Sequence, residues 1–461
     1  MATTYLNKTF STPTNRKKYT MAGWFKRSGL SSNQYIYSYD SGGNAMFVIG
    51  FYATDKFTVY DRDASSGSDD INYTTTRVFR DTAAWYHFVV AVDTTDSTSG
   101  DRVKIYVNGA RLTNFDTSTA PAQDYDTIAN SAISKDIGRW QAGSNYYDGF
   151  MSQFIFIDGS ALTPSSFGST NADGVWIPNT NPSVTYGTNG FKLEFKDSGA
   201  SAAASNFGAD TSGNNNHFAS NNLGTNPNTS DSPANNFAIL NINDRYNSHT
   251  TQETVQGVLT KAGRKFASNG QLGGSERYYN TTATIAIPSA GKWYWEVKPV
   301  AGSNGLGFRW TMGLQGLDRK YSTANFREQD NSQGMWASYT ADGKVSANGS
   351  TVATYSTIAV DDILSFKYDA DNRDLFIAKN GTYFNSGNAV LTSSNISNTD
   401  QKLVFLQNGS DGNTATEVNF GNPPYTIASG NSDANGYGNF EYAVPSGYYA
   451  LCSKNVGLYG G

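Results

Sequence analysis

Two neighbouring stretches, WYHFVVAVD (85–93) and RVKIYVNG (102–109), decide the fold class. In the second stretch Val103, Ile105 and Val107 share one face of a strand, and the Asn-Gly pair that follows is typical of a type I′ hairpin turn. The first stretch is apolar on both faces over most of its length, which predicts a central strand. Both patterns indicate antiparallel β-sheet rather than helix.

Similar short apolar or alternating runs recur along the whole chain, separated by Gly, Asn, Asp and Ser. The clearest of these runs are FMSQFIFID (150–158), FKLEF (191–195), KWYWEVK (292–298), DILSFKY (362–368), DLFIAKNG (374–381) and KLVFL (402–406). The sequence therefore predicts an all-β protein built from two antiparallel β-sandwich domains of the jelly-roll type. Within these domains we expect Trp85, Val103, Ile105, Trp293, Trp295 and Phe366 to be buried.

Composition excludes several classes of protein. Of the 461 residues, 14% are aromatic and 16% charged, and helical periodicity is nearly absent, which argues against a helical bundle, a coiled coil or a charged disordered chain. A net charge of −5 leaves no basic surface for nucleic acid or an anionic membrane. A single cysteine, Cys452, excludes an intramolecular disulfide, and His87, His217 and His249 are too scattered for a zinc motif.

The division into domains follows from a change in composition. Residues 199–236 contain almost no Leu, Ile or Val and are rich in Gly, Ser and Asn. Such a segment cannot contribute to a core, so we predict a first sandwich over 1–223, a linker over 224–236 and a second sandwich over 237–461.

Motifs in each half resemble known families. The order WYHFVVAVD, RVKIYVNG and DGFMSQFIFIDGSALTPSSF resembles the laminin-G and pentraxin branch of concanavalin A-like lectin domains over about 20–168. The motifs GKWYWEVK (291–298), MGL (312–314), DILSFKYDADNRDLFIAKNG (362–381) and VNFG (418–421) resemble a SPRY domain. Both resemblances imply two-sheet sandwiches.

The whole chain resembles virion surface proteins of tailed phages, particularly marine ones, in its lectin-like half, its connector DSPANNFAILN (231–241) and its tail SGYYALCSKNV (446–456). No signal peptide or transmembrane run is visible. We therefore expect a virion surface protein released by host lysis, with other virion proteins and a host-surface polysaccharide or receptor as partners and no insertion into membranes. The resemblance also implies a homo-oligomer, with a trimer as the expected form.

Hydrolytic chemistry is an alternative that the concanavalin A-like resemblance raises. A retaining glucanase needs two carboxylates about 5–5.5 Å apart, which that family supplies as Glu-x-Asp-x-Glu on one strand. The seven glutamates of this chain lie at least twenty residues apart. We therefore expect no enzymatic activity and recognition of a glycan or receptor instead, with capsid decoration and a dyad of Asp residues from separate strands as alternatives.

Two aromatic loops are candidate glycan-binding sites, because a sugar ring stacks on an aromatic face while its hydroxyls bond to Asn, Asp, Gln and Arg. The first loop holds Trp140, Asn145 and Tyr146, although Tyr147-Asp148-Gly149 also matches the structural turn of the resembling family. The residues predicted in the second loop are Arg309, Trp310 and Tyr321.

No cofactor is expected apart from a candidate Ca²⁺ loop that holds Asp61, Asp63, Asp69 and Asp70, for which a solvated acidic loop is the alternative. Two further reactive residue types are expected to be structural. His87 lies in an apolar strand and is predicted to be a core histidine, and Cys452 is predicted to be a small buried hydrophobic residue.

Overall fold

The computed structural model describes residues 3–65, 68–224, 227–247, 257–268, 278–302, 310–317, 336–409 and 414–461. The chain divides into two compact units, Met1–Ala234 (unit 1) and Asn235–Gly461 (unit 2). Both units are built of mainly antiparallel sheets, which confirms the predicted all-β class. No helix that the structure describes is both long enough and apolar enough to span a bilayer.

The strands of unit 1 are β1 Tyr5–Thr9, β2 Lys18–Arg27, β3 Gln34–Asp40, β4 Met46–Phe51, β5 Lys56–Arg62, β6 Ile71–Val78, β7 Tyr86–Asp93, β8 Val103–Val107, β9 Ala110–Arg111, β10 Phe115–Thr119, β11 Ser134–Ile137, β12 Gly149–Asp158, β13 Gly168–Thr170, β14 Trp176–Pro178, β15 Phe191–Leu193 and β16 Ala219–Asn221. Its short 3₁₀ helices are Ser99–Asp101 and Pro164–Ser166.

Unit 1 is a sandwich of an eight-stranded sheet, in the order β10-β6-β5-β4-β3-β11-β1-β16, and a six-stranded sheet, β15-β12-β2-β7-β8-β9. Its core lies between the two sheets, where Phe57 of one sheet stacks on Phe88 of the other at 4.1 Å between ring centroids. The first predicted strand forms β7, which pairs with β2 and β8 and is therefore central. The predicted hairpin turn follows β8, with positive φ at both Asn108 (48°) and Gly109 (81°).

The strands of unit 2 are β17 Leu240–Asn247, β18 Val258–Thr260, β19 Lys265–Ala267, β20 Tyr278–Ala283, β21 Lys292–Ala301, β22 Trp310–Gly316, β23 Trp336–Thr340, β24 Lys344–Ala347, β25 Ser350–Thr354, β26 Leu364–Asp369, β27 Asp374–Lys379, β28 Thr382–Tyr383, β29 Lys402–Gly409, β30 Ala415–Asn419 and β31 Tyr449–Ala450. A 3₁₀ turn covers Asn385–Gly387, and the short helix α1 covers Ser453–Tyr459.

Unit 2 is a second sandwich, with a seven-stranded sheet β17-β20-β29-β22-β23-β24-β25 and an eight-stranded sheet β18-β19-β30-β21-β26-β27-β28. Trp293 and Trp295 point from β21 into one core together with Trp310 of the other sheet. Trp295 stacks on Phe366 with 5.3 Å between ring centroids. The six residues predicted to be buried are all buried, with Trp85 the most exposed at 9%.

The segment predicted as a linker, 224–236, is anchored at its carboxyl-terminal end. Asp231 is buried in unit 1, where its carboxylate pairs with Lys26 Nζ at 2.8 Å and accepts a hydrogen bond from Trp85 Nε1 at 3.0 Å. Asn235 is also buried, and its side chain accepts a hydrogen bond from the backbone N–H of Lys454 in unit 2. Asp231 therefore bonds within unit 1 and Asn235 within unit 2, and the linker itself stays a prediction.

Candidate functional site

The outer face of the eight-stranded sheet of unit 1 carries aromatic side chains that the core does not use. Because side chains alternate along a strand, Phe47 and Ile49 of β4 enter the core while Val48 faces outward. Tyr35 of β3 and Tyr60 of β5 face outward beside it, and all three are between 5% and 9% exposed. Met46, Tyr52 and Trp140 pack against this trio and are partly buried.

We call these six residues, Tyr35, Met46, Val48, Tyr52, Tyr60 and Trp140, the aromatic face.

The loop that follows β11 holds Trp140 at the edge of this face. The backbone N–H of Trp140 donates to the Ser144 carbonyl at 2.8 Å, and the N–H of Gly143 donates back to the Trp140 carbonyl at 2.9 Å. The Trp140 ring meets the Tyr35 ring edge-on at 5.6 Å, and Tyr35 N–H donates to the Asn145 carbonyl at 3.0 Å. The loop is therefore tied to β3 through both side-chain packing and the backbone.

Polar side chains lie beside the aromatic face on the same side of the sheet. Asp136 of β11 is paired in register with Ser38 of β3 and with Asn7 of β1, and these residues continue the outward-facing row that contains Val48. The Asp136 carboxylate accepts from Asn7 Nδ2 and from Arg139 Nε, the latter at 2.6 Å. Hydrogen-bonding groups and aromatic rings therefore share one continuous surface.

Arg139 connects this polar row to the predicted loop. Its guanidinium lies 3.3 Å from the centroid of the Tyr5 ring, and contacts with Tyr146 and Asp136 raise the pKa of Arg139 although burial opposes the shift. The structure thus brings the predicted residues Trp140, Asn145 and Tyr146 to one edge of the outer face, together with an arginine that the sequence interpretation did not single out.

The aromatic face also borders the acidic loop. Tyr60 Oη donates to Asp69 Oδ1 at 2.5 Å, and Asn72 Nδ2 donates to Asp69 Oδ2 at 2.9 Å. Burial, followed by the bond to Asp69, raises the pKa of Tyr60 well above its usual value, so the phenol stays protonated at neutral pH. The carboxylate of Asp69 is therefore occupied in holding this edge of the face.

The other predicted calcium ligands serve structural bonds. Asp61 points to the core side of β5 and accepts from the N–H groups of Ile128 and Ala129 at 3.0 and 2.8 Å. Asp63 accepts from Ser65, and Asp70 accepts from the Asp63 N–H at 2.9 Å. Within the described part of the chain, no three His, Cys, Asp or Glu side chains form a group that could hold a metal ion. These bonds use carboxylate oxygens of Asp61, Asp63 and Asp70, and calcium binding by the loop stays a prediction.

The second predicted glycan loop is corrected in part. Trp310 is the first residue of β22 and is fully buried, and its Nε1 donates to the Ala301 carbonyl at 3.2 Å. Alternation along β22 directs Trp310 into the core with Met312 and Leu314, so its ring offers no face to a ligand. Arg309 and Tyr321 lie outside the described residues.

His87 and Cys452 are buried, as predicted. His87 packs between the rings of Trp24 and Trp176, and its Nδ1 accepts from Trp176 Nε1 at 3.0 Å. Burial lowers the pKa of His87 to about 3 and raises the pKa of the Cys452 thiol, so both groups are neutral at pH 7. A pKa this low makes the His87 imidazole a weak base, and a thiol that stays protonated is a poor nucleophile.

Glu296, the most enclosed of the glutamates that the structure describes, is also structural. Its carboxylate accepts hydrogen bonds from five groups: the hydroxyls of Tyr294 and Tyr425, the amide of Asn419 and the N–H groups of Glu441 and Tyr442. These bonds hold the segment after β30 on the outer side of β21. Because the carboxylate is buried and its acceptor positions are used within unit 2, Glu296 supplies no open acid or base.

Several residues of the aromatic face were missed from the sequence, namely Tyr35, Met46, Val48, Tyr52 and Tyr60. Tyr35 lies in YIYSY (35–39), a stretch in which large side chains point to both faces of the strand. That pattern indicates a second apolar surface on the sheet. It does not indicate which other strands contribute to it.

Comparison with known proteins agrees with this architecture. Residues 2–166 match the model of a laminin-G family described as the concanavalin A-like lectin/glucanases superfamily. No curated protein matches the chain.

Three solved structures illustrate the likeness. The SPRY domain of human HERC1 is 15% identical, with 35% of this chain and 91% of that chain covered and a TM-score of 0.28. The SAP-like pentraxin of Limulus polyphemus is 15% identical, with coverages of 39% and 86% and a TM-score of 0.28. Domains LG4-5 of the mouse laminin alpha1 chain are 8% identical, with coverages of 98% and 88% and a TM-score of 0.29. These values are too low to carry a functional argument.

Proposed function

We propose that this protein recognises a glycan through the aromatic face of unit 1 and does so without hydrolysing it. The observation that carries the proposal is the position of two partly buried rings, Trp140 and Tyr52, at the edge of a face that also offers polar side chains. A sugar ring packs its apolar side on such rings while its hydroxyls bond to amide, carboxylate and guanidinium groups. Arg139 and Asn145 lie in the loop that holds Trp140 and are the proposed hydrogen-bonding residues.

The shape of the site fits shallow recognition. Tyr35, Val48 and Tyr60 form a base that is almost fully buried, so the ligand would contact mainly the rings and polar groups around it. A shallow site of this kind binds a single sugar weakly, and several copies on one particle raise the effective affinity by about 10² to 10⁴. We therefore propose that the protein acts as an oligomer, with a trimer as the form to test.

A non-enzymatic role is part of the proposal. The glutamates of this chain do not have the spacing of the glucanase motif, and the described acidic groups at the aromatic face, Asp69 and Asp136, hold neighbouring side chains. Glycan hydrolysis remains the alternative that a dyad of aspartates would support.

We propose further that the protein resides on the surface of a tailed-phage virion, is released by host lysis and binds other virion proteins as well as a host-surface polysaccharide or receptor. Support for this step comes from the order of the sequence motifs in the two halves and from the acidic net charge, which disfavours nucleic acid as a partner. Capsid decoration is the alternative, in which the same surface would contact neighbouring subunits.

The test is binding of the full chain, coupled to beads at high density, to an array of bacterial surface polysaccharides. Trp140→Ala and Tyr52→Ala should each weaken binding by about 1–3 kcal/mol, the range for loss of an aromatic anchor. Tyr106→Ala is the matched control, since Tyr106 is a partly buried tyrosine of β8 in the other sheet of unit 1. It should leave binding unchanged.

Two outcomes would contradict the proposal. Equal loss in Tyr106→Ala and Trp140→Ala would mean that general destabilisation, not a binding surface, explains the effect. Release of reducing ends from a bound polysaccharide would refute the non-enzymatic part. The location is tested on purified virions. The number of copies of this protein per virion is counted, and the binding of virions to the polysaccharide is compared with that of the isolated protein. Together the two measurements distinguish host recognition from capsid decoration.

A further inference from the structure

The outer face of the eight-stranded sheet of unit 2 holds a lysine surrounded by aromatic rings. In β26 the residues on either side of Lys367 join the core, so Lys367 itself points to the other side of the sheet. Its Nζ lies 4.1 Å from the centroid of the Phe376 ring, 4.8 Å from that of Tyr383 and 5.0 Å from that of Tyr448. We call these four residues, Lys367, Phe376, Tyr383 and Tyr448, the lysine cage.

Strand pairing brings the four residues together. Lys367 of β26 is paired in register with Phe376 of β27, and β28 pairs with β27 so that Tyr383 points to the same face. Tyr448 immediately precedes β31, which pairs with β21, the neighbour of β26. Each ring of the cage is therefore placed by backbone pairing at or next to its own residue.

The polar groups of the lysine cage are open to solvent and have no partner. Lys367, Phe376 and Tyr383 are half-buried, and Tyr448 is 7% exposed. Among the residues that the structure describes, none forms a hydrogen bond or an ion pair with the Lys367 ammonium or with the hydroxyls of Tyr383 and Tyr448. None of these three polar atoms is sealed from solvent. A ligand at this face can therefore reach all three groups.

The lack of a counter-ion distinguishes Lys367 from other lysines of the same unit. Five other described lysines of unit 2 each pair with an aspartate or a glutamate at 2.6–3.0 Å, namely Lys261, Lys292, Lys298, Lys344 and Lys379. Burial, followed by the nearby charge of Lys292, lowers the pKa of Lys367. An anion beside this ammonium would stabilise its charged form.

Neighbouring carboxylates do not supply that anion. Asp369 and Asp374 are the next outward-facing residues of β26 and β27, and they are paired in register with each other. Asp369 binds Lys292 at 2.8 Å. No ion pair joins either aspartate to Lys367 in the described part of the chain. The charge of Lys367 is therefore available to a ligand.

The chemistry of the lysine cage defines the class of ligand. Burial raises the pKa of Tyr383 to about 12 and also raises that of Tyr448, so both phenols stay protonated and can donate at neutral pH. An ammonium and two hydroxyl donors suit a carboxylate, which only accepts hydrogen bonds. The half-buried rings of Phe376 and Tyr383 offer a surface on which the apolar side of a sugar can pack.

We propose that the lysine cage of unit 2 binds an acidic saccharide, with the sugar carboxylate at the Lys367 ammonium and the sugar ring against Phe376 and Tyr383. The cage shares no residue with the aromatic face of unit 1. The proposal therefore goes beyond the proposed function and does not depend on it.

The experiment is isothermal titration of the full chain with two matched pairs of probes: digalacturonate and neutral digalactose, and sialyllactose and lactose. At least one acidic sugar should bind about tenfold more tightly than its neutral counterpart, because its carboxylate adds a charge-assisted hydrogen bond. This preference should decrease as the salt concentration rises. Lys367→Gln should abolish it, Lys367→Arg should retain it, and Tyr383→Phe should weaken binding of the acidic sugar while the ring remains.

Two controls make the result specific. Lys265→Gln alters a half-buried lysine of β19 in the same sheet and should leave binding unchanged. The doubly substituted Trp140→Ala, Tyr52→Ala chain should retain the acidic preference, which separates failure of this site from failure of the site in unit 1. Unchanged thermal midpoints show that the variants remain folded.

Three outcomes would overturn the proposal. The first is that neither acidic sugar binds more tightly than its neutral counterpart. The second is that Lys367→Gln keeps the preference, or that Lys265→Gln removes it equally. The third is that poly-L-glutamate binds the cage as tightly as the acidic sugar, which would point to an acidic protein segment instead of a saccharide.

Discussion

The buried ion pair between Lys26 and Asp231 allows a test of whether Asp231, a residue of the predicted linker, stabilises unit 1. Both side chains are 0% exposed, and the nitrogen and oxygen lie 2.8 Å apart. The second carboxylate oxygen accepts from Trp85 Nε1, so one residue of the predicted linker satisfies two buried groups of the sandwich. Asp231→Ala removes this carboxylate and leaves the ammonium of Lys26 buried without it.

Removing one partner of a buried ion pair costs about 3–5 kcal/mol, a large part of the 5–15 kcal/mol that stabilises a typical domain. We therefore expect Asp231→Ala to lower the free energy of unfolding of unit 1 by about that amount. The matched control is Asp124→Ala, since Asp124 pairs with Lys17 at 3.2 Å with side chains 58% and 35% exposed. Loss of this surface pair should cost about 0–1 kcal/mol.

The assay is guanidinium unfolding of the full chain, followed by tryptophan fluorescence, with limited proteolysis as a second measurement. Trp85 lies against the altered site, so its emission should report the transition of unit 1, and cleavage near residue 231 should accelerate in the variant. The double variant Lys26→Met, Asp231→Leu should recover much of the loss, because neither charge is then buried alone. A loss below about 1 kcal/mol for Asp231→Ala, or equal losses for it and Asp124→Ala, would refute the reasoning.

Two further stability predictions follow from buried residues. Trp295→Ala removes a ring that stacks on Phe366 and should cost about 3–5 kcal/mol in thermal or chemical unfolding, whereas a cost below 1 kcal/mol would contradict its core position. Burial lowers the pKa of Lys135 from 10.5 to about 7. The unfolded chain then binds more protons between these values, so stability should rise from pH 7 to 10.5 and level off below pH 7. Lys135→Met should flatten this slope, while exposed Lys196→Met should not.

The burial of Asp61 and Trp310 could not be predicted from the local sequence. Asp61 belongs to an acidic stretch of the chain, and only its place in β5 shows that its side chain points inward, where burial raises its pKa to about 6. Trp310 was placed in a loop because it follows Phe308-Arg309, and only the pairing of β22 with β29 shows that it begins a central strand.

The local sequence pattern was sufficient to predict the strands and turns themselves. A period of two residues identifies the buried face of a strand such as β8, and an Asn-Gly pair identifies its turn, because both properties depend on neighbours along the chain. The all-β class, the two sandwiches and the burial of Trp293 and Trp295 are of this kind.

The surface proposed for binding in unit 1 depended on tertiary structure. Tyr35, Val48 and Tyr60 are separated in sequence and meet because β3, β4 and β5 pair in one register, with Val48 opposite Tyr60. Register is decided by which faces can be buried together across the whole sandwich, and a shift of one residue would exchange the inner and outer faces. The sequence by itself determined which side chains alternate, and the assembled sheets decided which of them form a site.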